Sequence, residues 1–210
     1  GAPAEDLPPT PHRTAQRHWR MTRNFASGSL VDWGSHQVDT AQLAADAPGV
    51  CPVKIEGTGS IPENSMTNVP VTFDVKYEYS NGVEVRVKSG GTAIRLTGTK
   101  GWVGNDVWRG GLKASDDSIL RTKFTPETSR HWQRPPGEQR NFLDCVMSRR
   151  PTTYPAETMH LLHTTLLMGD IAIRLGRKLH WDPAKEAFID DDEANAMRSR
   201  ESRTDWTKAG

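Results

Sequence analysis

The sequence has few cysteines, no long apolar run and no excess of charge of either sign. Its two cysteines, Cys51 and Cys145, lie far apart and match no metal-binding or redox spacing, so we expect two unremarkable thiols. No apolar stretch approaches the length of a membrane span. Lysine and arginine number 27 against 26 aspartate and glutamate, and no basic stripe alternates with aromatic residues. These absences argue against membrane-spanning and nucleic-acid-binding classes.

The length of the chain, 210 residues, suffices for one good-sized domain or two small ones. Its opening residues, GAPAEDLPPTP, are polar and rich in proline, which is typical of a linker and not of a signal peptide. We therefore interpret residues 1–17 as an interdomain linker and residues 18–210 as the C-terminal domain of a longer protein. A processed native N-terminus would look the same.

Residues 50–110 predict an antiparallel sheet, whose clearest part is a hairpin with alternating apolar and charged residues. A two-residue loop, Asn81-Gly82, would place Tyr79 opposite Glu84 and mix the two faces. A three-residue loop with Gly82 in the left-handed conformation pairs Tyr79 with Val83, and we favour that register. Further strands are expected near 52–60, 92–98 and 102–109. Since one face is apolar and the other charged, helices should cover one face only.

Helical periodicity marks four other segments. They are residues 29–45, 137–150, 155–176 and 191–199. Ser29 is a plausible N-cap of the first helix, and the third begins with proline and ends at Gly176. The order of helix, strands and helices predicts an α+β fold with an open, mixed but mainly antiparallel sheet.

The first helix carries an acid, an imidazole and a second acid on one face. At about 100° per residue, Asp32, His36 and Asp39 fall within about 60° of one another. The opposite side carries an apolar stripe, with Gly34 allowing close approach of a neighbour. The stripe comprises Leu30, Val31, Val38, Ala41 and Ala45. The polar face is therefore either a solvated surface or the wall of a site.

Three interpretations of this face are open. In the first, Asp32 completes a capping box with Ser29, and His36 is a surface residue paired with Asp32 one turn away. In the second, His36 is a general base, because an imidazole can accept and return a proton near neutral pH, and Asp32 orients it. In the third, Asp32, His36 and Asp39 hold a metal. No further ligand pattern completes a shell, so no metal is expected.

Other candidate motifs favour structural roles. His160 and His163 on the long helix are interpreted as solvated or interface residues. GTGSIP (57–62) lacks the third glycine and the following helix of a dinucleotide loop, so we interpret it as a strand end and a turn. The acidic run from Asp190 to Glu193 lacks the glycine and glutamate of an EF-hand and is expected to cap the last helix.

Four segments together resemble the C-terminal domain of the glucose–fructose oxidoreductase/inositol dehydrogenase/rhizopine catabolism (Gfo/Idh/MocA) oxidoreductases, in the bacterial branch. GSLVDWGSHQVDTAQLA matches the family's Gly-x-x-x-Asp-x-Gly-x-His-x-x-Asp pattern. The other segments are GTKGWV, NFLDCVMSRRPTTYPAE and IAIRLGRKLHWDP. The resemblance runs from about residue 12 to the tail, and it is the order of the four segments that makes it specific.

The resemblance implies a function and roles for three residues. Members are NAD- or NADP-dependent enzymes that act mostly on sugars, sugar acids and polyols, and this domain supplies the substrate site and the oligomer interface. By the match, His36 would exchange the proton of the substrate hydroxyl while hydride passes to or from the nicotinamide, and Asp32 would orient and polarise it. Asp39 matches the pattern, with a weaker assignment to substrate binding.

The resemblance also defines what this chain would lack. The family's dinucleotide-binding domain, with its glycine-rich loop, and its Glu-Lys-Pro motif are not in this sequence, so the chain alone is expected to be inactive and to hold no cofactor tightly. We expect a homo-oligomer formed through the sheet, although charged residues on the open face argue against a dry interface. The substrate, the choice between NAD and NADP, and a cytoplasmic or periplasmic location all stay open.

Two other functions remain open at this point. The first is a non-catalytic carbohydrate-binding or scaffold module that retains the fold. The second is a metal-assisted or cofactor-independent lyase that uses the face formed by Asp32, His36 and Asp39. An upstream dinucleotide-binding domain would distinguish the oxidoreductase from the first alternative, and metal dependence would distinguish it from the second.

Overall fold

The computed structural model describes residues 19–44, 50–129 and 137–199. The predicted linker at 1–17, the last residue of the first predicted helix, Ala45, and the tail after residue 199 lie outside the described residues.

The described residues form six helices and eight strands, after a short 3-10 turn at Trp19–Met21. The helices are α1 (Gly28–Asp32), α2 (Gly34–Ala44), α3 (Asp117–Leu120), α4 (Glu138–Ser148), α5 (Ala156–Leu175) and α6 (Asp192–Ala196). The strands are β1 (Lys54–Ser60), β2 (Thr72–Glu78), β3 (Glu84–Lys88), β4 (Ile94–Gly98), β5 (Gly101–Asn105), β6 (Lys113–Ala114), β7 (Leu179–Asp182) and β8 (Ala187–Phe188).

The strands form two open sheets. One has five strands in the order β3-β2-β1-β7-β8, and the other has three in the order β4-β5-β6. Every pairing between described strands is antiparallel. The predicted α+β class with an open sheet is therefore confirmed, although the strands near 94–105 belong to a sheet of their own. Strands β6, β7 and β8 were not predicted, because segments of two to four residues are too short for alternation to stand out.

The hairpin of β2 and β3 has the predicted register. Tyr77 pairs with Val85, and the Tyr79 N–H donates to the Val83 carbonyl at 2.9 Å. Gly82 closes the three-residue loop with a φ of +84°, a conformation in which glycine carries no steric cost. This register places the apolar side chains of β2 on the core side and leaves its charged side chains on the opposite face.

The core lies between the five-stranded sheet and α5. Small residues of α5 face the sheet: Thr165, Gly169 and Ala172 are buried. A Cβ at Gly169 would collide with the hydroxyl of Tyr77, which shows how closely this helix backbone approaches β2. Burial raises the pKa of the Tyr77 hydroxyl well above its usual range. The α5 helix ends at Gly176, as predicted, with a φ of +62° and its N–H bonded to the Ala172 carbonyl.

The first predicted helix is two helices. The chain breaks at Trp33, between α1 and α2, and the helical segment begins at Gly28, so the prediction of Ser29 as the N-cap was wrong. Gly28 has a φ of +68°, and a Cβ there would lie 2.6 Å from Val69, so the start of the segment depends on glycine. The apolar stripe packs inward as predicted, with Leu30 and Val38 buried. Gly34 lies against Leu166 of α5, where a Cβ would approach a methyl group to 2.8 Å.

Helix α4 forms where the periodicity predicts it, but its apolar side chains are exposed. Phe142 and Met147 are 60% and 85% exposed, and Leu143 and Val146 are also exposed. In the part of the chain that the structure describes, none of the helices combines the length and apolar character of a membrane span.

Candidate functional site

The break between α1 and α2 determines how the predicted site residues are placed. The His36 N–H donates to the Trp33 carbonyl at 3.0 Å, and the Asp32 carbonyl accepts from the Ser35 hydroxyl at 2.8 Å. A side-chain hydroxyl that bonds a backbone carbonyl competes with the helical ladder and bends the helix. Asp32 therefore ends one helix, and His36 and Asp39 belong to the next.

The Asp32 carboxylate is bonded to an arginine. Arg20 donates to it at 3.0 Å, and both side chains are exposed. Arg20 follows Trp19 in the 3-10 turn that precedes α1, so this pair joins two neighbouring segments at the surface. An exposed ion pair of this kind contributes roughly 0–1 kcal/mol, which makes it easy to exchange for another partner.

The Asp39 carboxyl interacts electrostatically with His36. Burial raises the pKa of the Asp39 carboxyl, and the charge of His36 partly offsets that rise. Asp39 is half-buried on the second turn of α2, three residues after His36. His36 itself is exposed, and its carbonyl accepts from the Thr40 hydroxyl at 2.9 Å. Of the two predicted acids, Asp39 is thus coupled by charge to the imidazole, whereas Asp32 is engaged by Arg20.

Two indole rings lie beside the His36 imidazole. The ring of Trp33 is 6.1 Å away between centroids and is inclined at 69°. The ring of Trp108 is 5.6 Å away and is inclined at 52°. Trp33 comes from the junction of α1 and α2, while Trp108 comes from the loop after β5. The imidazole therefore lies at a surface formed by two parts of the chain that are far apart in sequence.

A hydrogen-bonded turn holds Trp108 in place. The backbone N–H of Trp108 donates to the hydroxyl of Thr92, which lies just before β4, at 2.9 Å. The turn closes with a 2.8 Å bond from the Gly110 N–H to the Val107 carbonyl, and Arg109 within it has a φ of +60°. A non-glycine residue in the left-handed region is uncommon and is often found near functional sites.

Two clefts lie near these elements. A cleft of about 500 Å³ runs between α2 and strands β3 and β4, with Trp33 and Gln37 in its wall. A second, of about 800 Å³, lies beside α5 and α6, where the buried Asp170 pairs with Arg23. His36 and Asp32 are not among the lining residues of either cleft. Trp33 is therefore the residue that connects the imidazole surface with the first cleft.

The remaining candidate motifs lie away from His36, and His160 and His163 line the second cleft. His160 Nε2 lies 2.9 Å from Glu186 Oε1, and His163 Nδ1 lies 2.9 Å from the carbonyl oxygen of Met159 in the same helix. Gly57 and Gly59 of GTGSIP are in the antiparallel strand β1. Asp191 caps α6, as the acidic run predicts, and its side chain accepts a hydrogen bond from the Ala194 N–H at 3.0 Å. Hydrogen bonds from Arg177 and from that N–H lower the pKa of the Asp191 carboxyl to about 2.

The described side chains do not group into a metal site. Within residues 19–44, 50–129 and 137–199, no three His, Cys, Asp or Glu side chains are grouped in a way that could hold an ion. Cys51 and Cys145 are both free thiols in this structure, and burial raises the pKa of Cys51.

The sequence did not indicate three residues near the motif: Arg20, which bonds Asp32, and Trp33 and Trp108, whose rings contact that of His36. Trp33 lies within the motif and could have been noticed as a large aromatic residue between two polar positions. Arg20 belongs to a segment whose course depends on the 3-10 turn, and Trp108 arrives through the second sheet. For these two, no local pattern indicates the contact.

Comparison with known proteins agrees with this fold. The model for the C-terminal alpha/beta domain of the Gfo/Idh/MocA oxidoreductase family matches residues 1–208. The chain belongs to this family. A search of curated proteins finds no match.

Solved structures of oxidoreductases share the fold. The aldose–aldose oxidoreductase of Caulobacter crescentus, crystallised with glycerol, is 21% identical with a TM-score of 0.57, over 77% of this chain and 50% of that one. GenD2 from gentamicin A biosynthesis, in complex with NAD, is 22% identical with a TM-score of 0.56, over 79% and 51%. A putative oxidoreductase from Thermotoga maritima is 15% identical with a TM-score of 0.52, over 87% and 52%. The chain thus spans about half the length of these structures.

Proposed function

We propose that this chain is the substrate-binding C-terminal domain of an NAD- or NADP-dependent oxidoreductase that acts on a hydroxyl of a sugar, sugar acid or polyol. The observation that carries the proposal is an exposed imidazole on the family motif, coupled by charge to Asp39. Asp32 and His36 occupy the Asp and His positions of the Gly-x-x-x-Asp-x-Gly-x-His-x-x-Asp pattern.

His36 is the proposed acid–base residue. Oxidation of a hydroxyl to a carbonyl releases a proton from oxygen, and an imidazole can accept it and return it in the reverse direction. Asp39, whose carboxyl is affected by the charge of His36, lies three residues further along the same helix. Asp32 would orient the imidazole after its carboxylate leaves the exposed ion pair with Arg20 and bonds His36 or the substrate instead.

The described residues do not form a dinucleotide cradle. The glycine-containing segment 57–62 belongs to strand β1 and the loop after it, and no helix starts there to receive a phosphate. The cofactor would be bound by the half of the parent protein outside this chain. What this domain contributes is the proton exchange and the surface that orients the substrate.

The test is His36→Asn in the parent protein that carries this domain and its dinucleotide-binding half. With a substrate of the proposed class, kcat is expected to fall by about 10² to 10⁴, because a positioned acid–base residue contributes on that order. Steady-state kinetics with NAD and NADP measure it. His163→Asn is a matched control, since that imidazole is also exposed and bonds a carbonyl of its own helix.

Near-normal turnover by the His36→Asn enzyme would overturn the catalytic role. Binding of the sugar or polyol without any turnover in the unaltered parent protein would favour the non-catalytic carbohydrate-binding module instead.

We also propose that copies of the chain associate through the open face of the five-stranded sheet. No helix among the described residues covers this face, and its charges form cross-strand pairs, such as Arg86 with Asp74 at 2.7 Å and Lys76 with Glu84 at 2.8 Å. Since the face is charged, Arg86→Glu should weaken association by placing like charges together, whereas Lys185→Glu, in the exposed turn between β7 and β8, should not. Light scattering measures the mass. Unchanged association in the Arg86 variant would exclude this face.

A further inference from the structure

Helix α4 has an apolar face that nothing among the described residues covers. Its members lie on one side of the helix, because residues four apart are neighbours on a helix surface. They are Phe142, Leu143, Val146 and Met147, and all four are exposed. Together they present roughly 400 Å² of apolar surface, and patches of that size on a soluble protein often mark a binding surface.

The opposite side of α4 is fixed to the chain that follows it. The side-chain oxygen of Asn141 accepts from the Thr153 N–H at 3.0 Å, and the Cys145 thiol donates to the Pro151 carbonyl at 3.2 Å. The helix ends in a left-handed cap at Arg149, which has a φ of +57°. Rolling the helix to bury its apolar face would break these hydrogen bonds, so the face stays available to a partner.

The size of the patch distinguishes between possible partners. A stable interface between independent molecules, such as two copies of this chain, takes about 800 Å² from each of them, and the face of α4 offers about half of that. Contacts between two domains of one chain begin at about 600 Å² in total. Two domains joined by a linker meet at an effective concentration in the millimolar range, so a modest contact is enough. The face therefore fits a partner that is covalently attached.

The proposed function includes such a partner. The chain belongs to a family of C-terminal domains and spans about half the length of the oxidoreductase structures that share its fold. We infer that the apolar face of α4 is the surface on which the dinucleotide-binding half of the parent protein docks, through an apolar patch of similar size. This inference rests on the proposed function and adds to it the surface that joins the two halves.

The position of α4 suits this role. The segment 149–155 joins it to α5, and α5 packs against α2, where Leu162 and Leu166 contact Val38. Helix α2 carries His36. Hydride transfer requires the reacting atoms to be held about 3–3.5 Å apart, so the two halves must be fixed relative to each other. A half that is docked on α4 is held through α5 at a set distance from His36.

The experiment uses the oxidation of Met147, which is 85% exposed, to measure whether the face is covered. Peroxide converts an accessible methionine to its sulfoxide, and mass spectrometry of peptides gives the rate at each methionine. Met147 should be oxidised at least about tenfold more slowly in the parent protein than in the isolated chain, because the docked half excludes the reagent. Met66, which is 38% exposed between β1 and β2, is the internal reference and should react at the same rate in both proteins.

Variants of the parent protein separate docking from other effects. Leu143→Glu places a charge in the docked face, and the cost of burying it should return the oxidation of Met147 to within about twofold of the rate in the isolated chain. Leu120→Glu, the same change at another exposed helical leucine, is the matched control and should leave Met147 protected. In the isolated chain, Leu143→Glu should leave the melting temperature unchanged, which shows that the helix itself is intact.

Equal oxidation of Met147 in the isolated chain and in the parent protein would overturn the inference, as would equal slowing at Met147 and Met66. Retained protection in the Leu143→Glu parent protein would also overturn it. Protection of Met147 in the isolated chain would assign the coverage to a second copy if it grows with chain concentration, and to the chain's own residues if it does not. Either result excludes the dinucleotide-binding half as the occupant.

The oxidation rates do not depend on turnover, so this test is separate from the test of the catalytic role. If Met147 is protected while the His36→Asn enzyme turns over normally, the docking surface stands and the acid–base proposal fails. If the His36→Asn enzyme is inactive while Met147 reacts equally in both proteins, the inference alone fails.

Discussion

Helices α4 and α5 have similar sequence patterns and opposite surroundings. Both carry apolar residues at helical spacing, and both form where that spacing predicts a helix. On α5 the apolar side is buried against the sheet and against α2, where Leu162 and Leu166 pack with Val38. On α4 the residues Phe142, Leu143, Val146 and Met147 remain exposed. Periodicity therefore identifies a helix and its apolar side, but it does not identify the surface that covers that side.

The difference also separates a helix that contributes strongly to stability from one that contributes little. The α5 helix approaches the sheet so closely that only glycine fits at position 169, and such contacts hold the domain together. An exposed apolar helix contributes little to the stability of the chain that carries it. The face of α4 is thus free to be covered without any change in the core.

The largest effect is expected from Leu166→Ala on α5. Leu166 is 0% exposed and contacts Gly34, so its removal leaves a cavity between α5 and α2. We expect a loss of about 2–5 kcal/mol in the free energy of unfolding. Urea denaturation measures it, and a loss below about 1 kcal/mol would contradict the close packing of this helix.

An intermediate effect, dependent on pH, is expected from Asp39→Asn on α2, a helix with one packed and one polar side. Because burial raises the pKa of Asp39, the stability that this group contributes is present at low pH and is lost as the pH rises through its pKa in the folded protein. At neutral pH the variant should melt higher than the unaltered chain by at most about 3 °C.

The pH dependence provides the control for that change. Near pH 3, where the carboxyl is protonated in both states, the difference between the two proteins should vanish. Asp190→Asn, at an exposed position, is the matched substitution. A variant less stable than the unaltered chain at neutral pH would show that the charge of Asp39 is held by a partner that stabilises it.

The smallest effect is expected from Leu143→Ala on α4, the same substitution as in α5. Leu143 is 56% exposed, so the change should alter the free energy of unfolding by no more than about 0.5 kcal/mol. The same urea titration measures it. A loss comparable with that of Leu166→Ala would mean that α4 is buried in solution, and the contrast between the two helices would disappear.

Much of the fold could be predicted from local patterns. The alternation in β2 and β3, together with the need to keep Tyr79 opposite Val83, was enough to exclude the two-residue loop, and the structure has that register. Short strands such as β7 could not be predicted, because the pairing of Lys54 with His180 depends on a partner far along the chain. The break at Trp33 was also missed, since it depends on the Ser35 hydroxyl and on the approach of α5 to Gly34.

In the candidate site, too, some features follow from local spacing and others depend on tertiary structure. Spacing brought Asp32, His36 and Asp39 to attention, and the family motif assigned them expected roles. The different surroundings of the two acids were not predictable, because the burial of Asp39 and the bond from Arg20 to Asp32 both depend on tertiary structure. The two indoles depend on a junction and on a distant turn, so no helical spacing could indicate that they meet at His36.

The sequence by itself determined the family, helices α4 and α5 and the hairpin, since these follow from periods and turn residues that act over a few positions. Only the tertiary structure decided which apolar faces are buried, which carboxylate is coupled to His36, and which aromatic rings surround it. The physical reason is that burial, charge and ring contact depend on distances through space, and those distances are set by the packing of α5 and the two sheets.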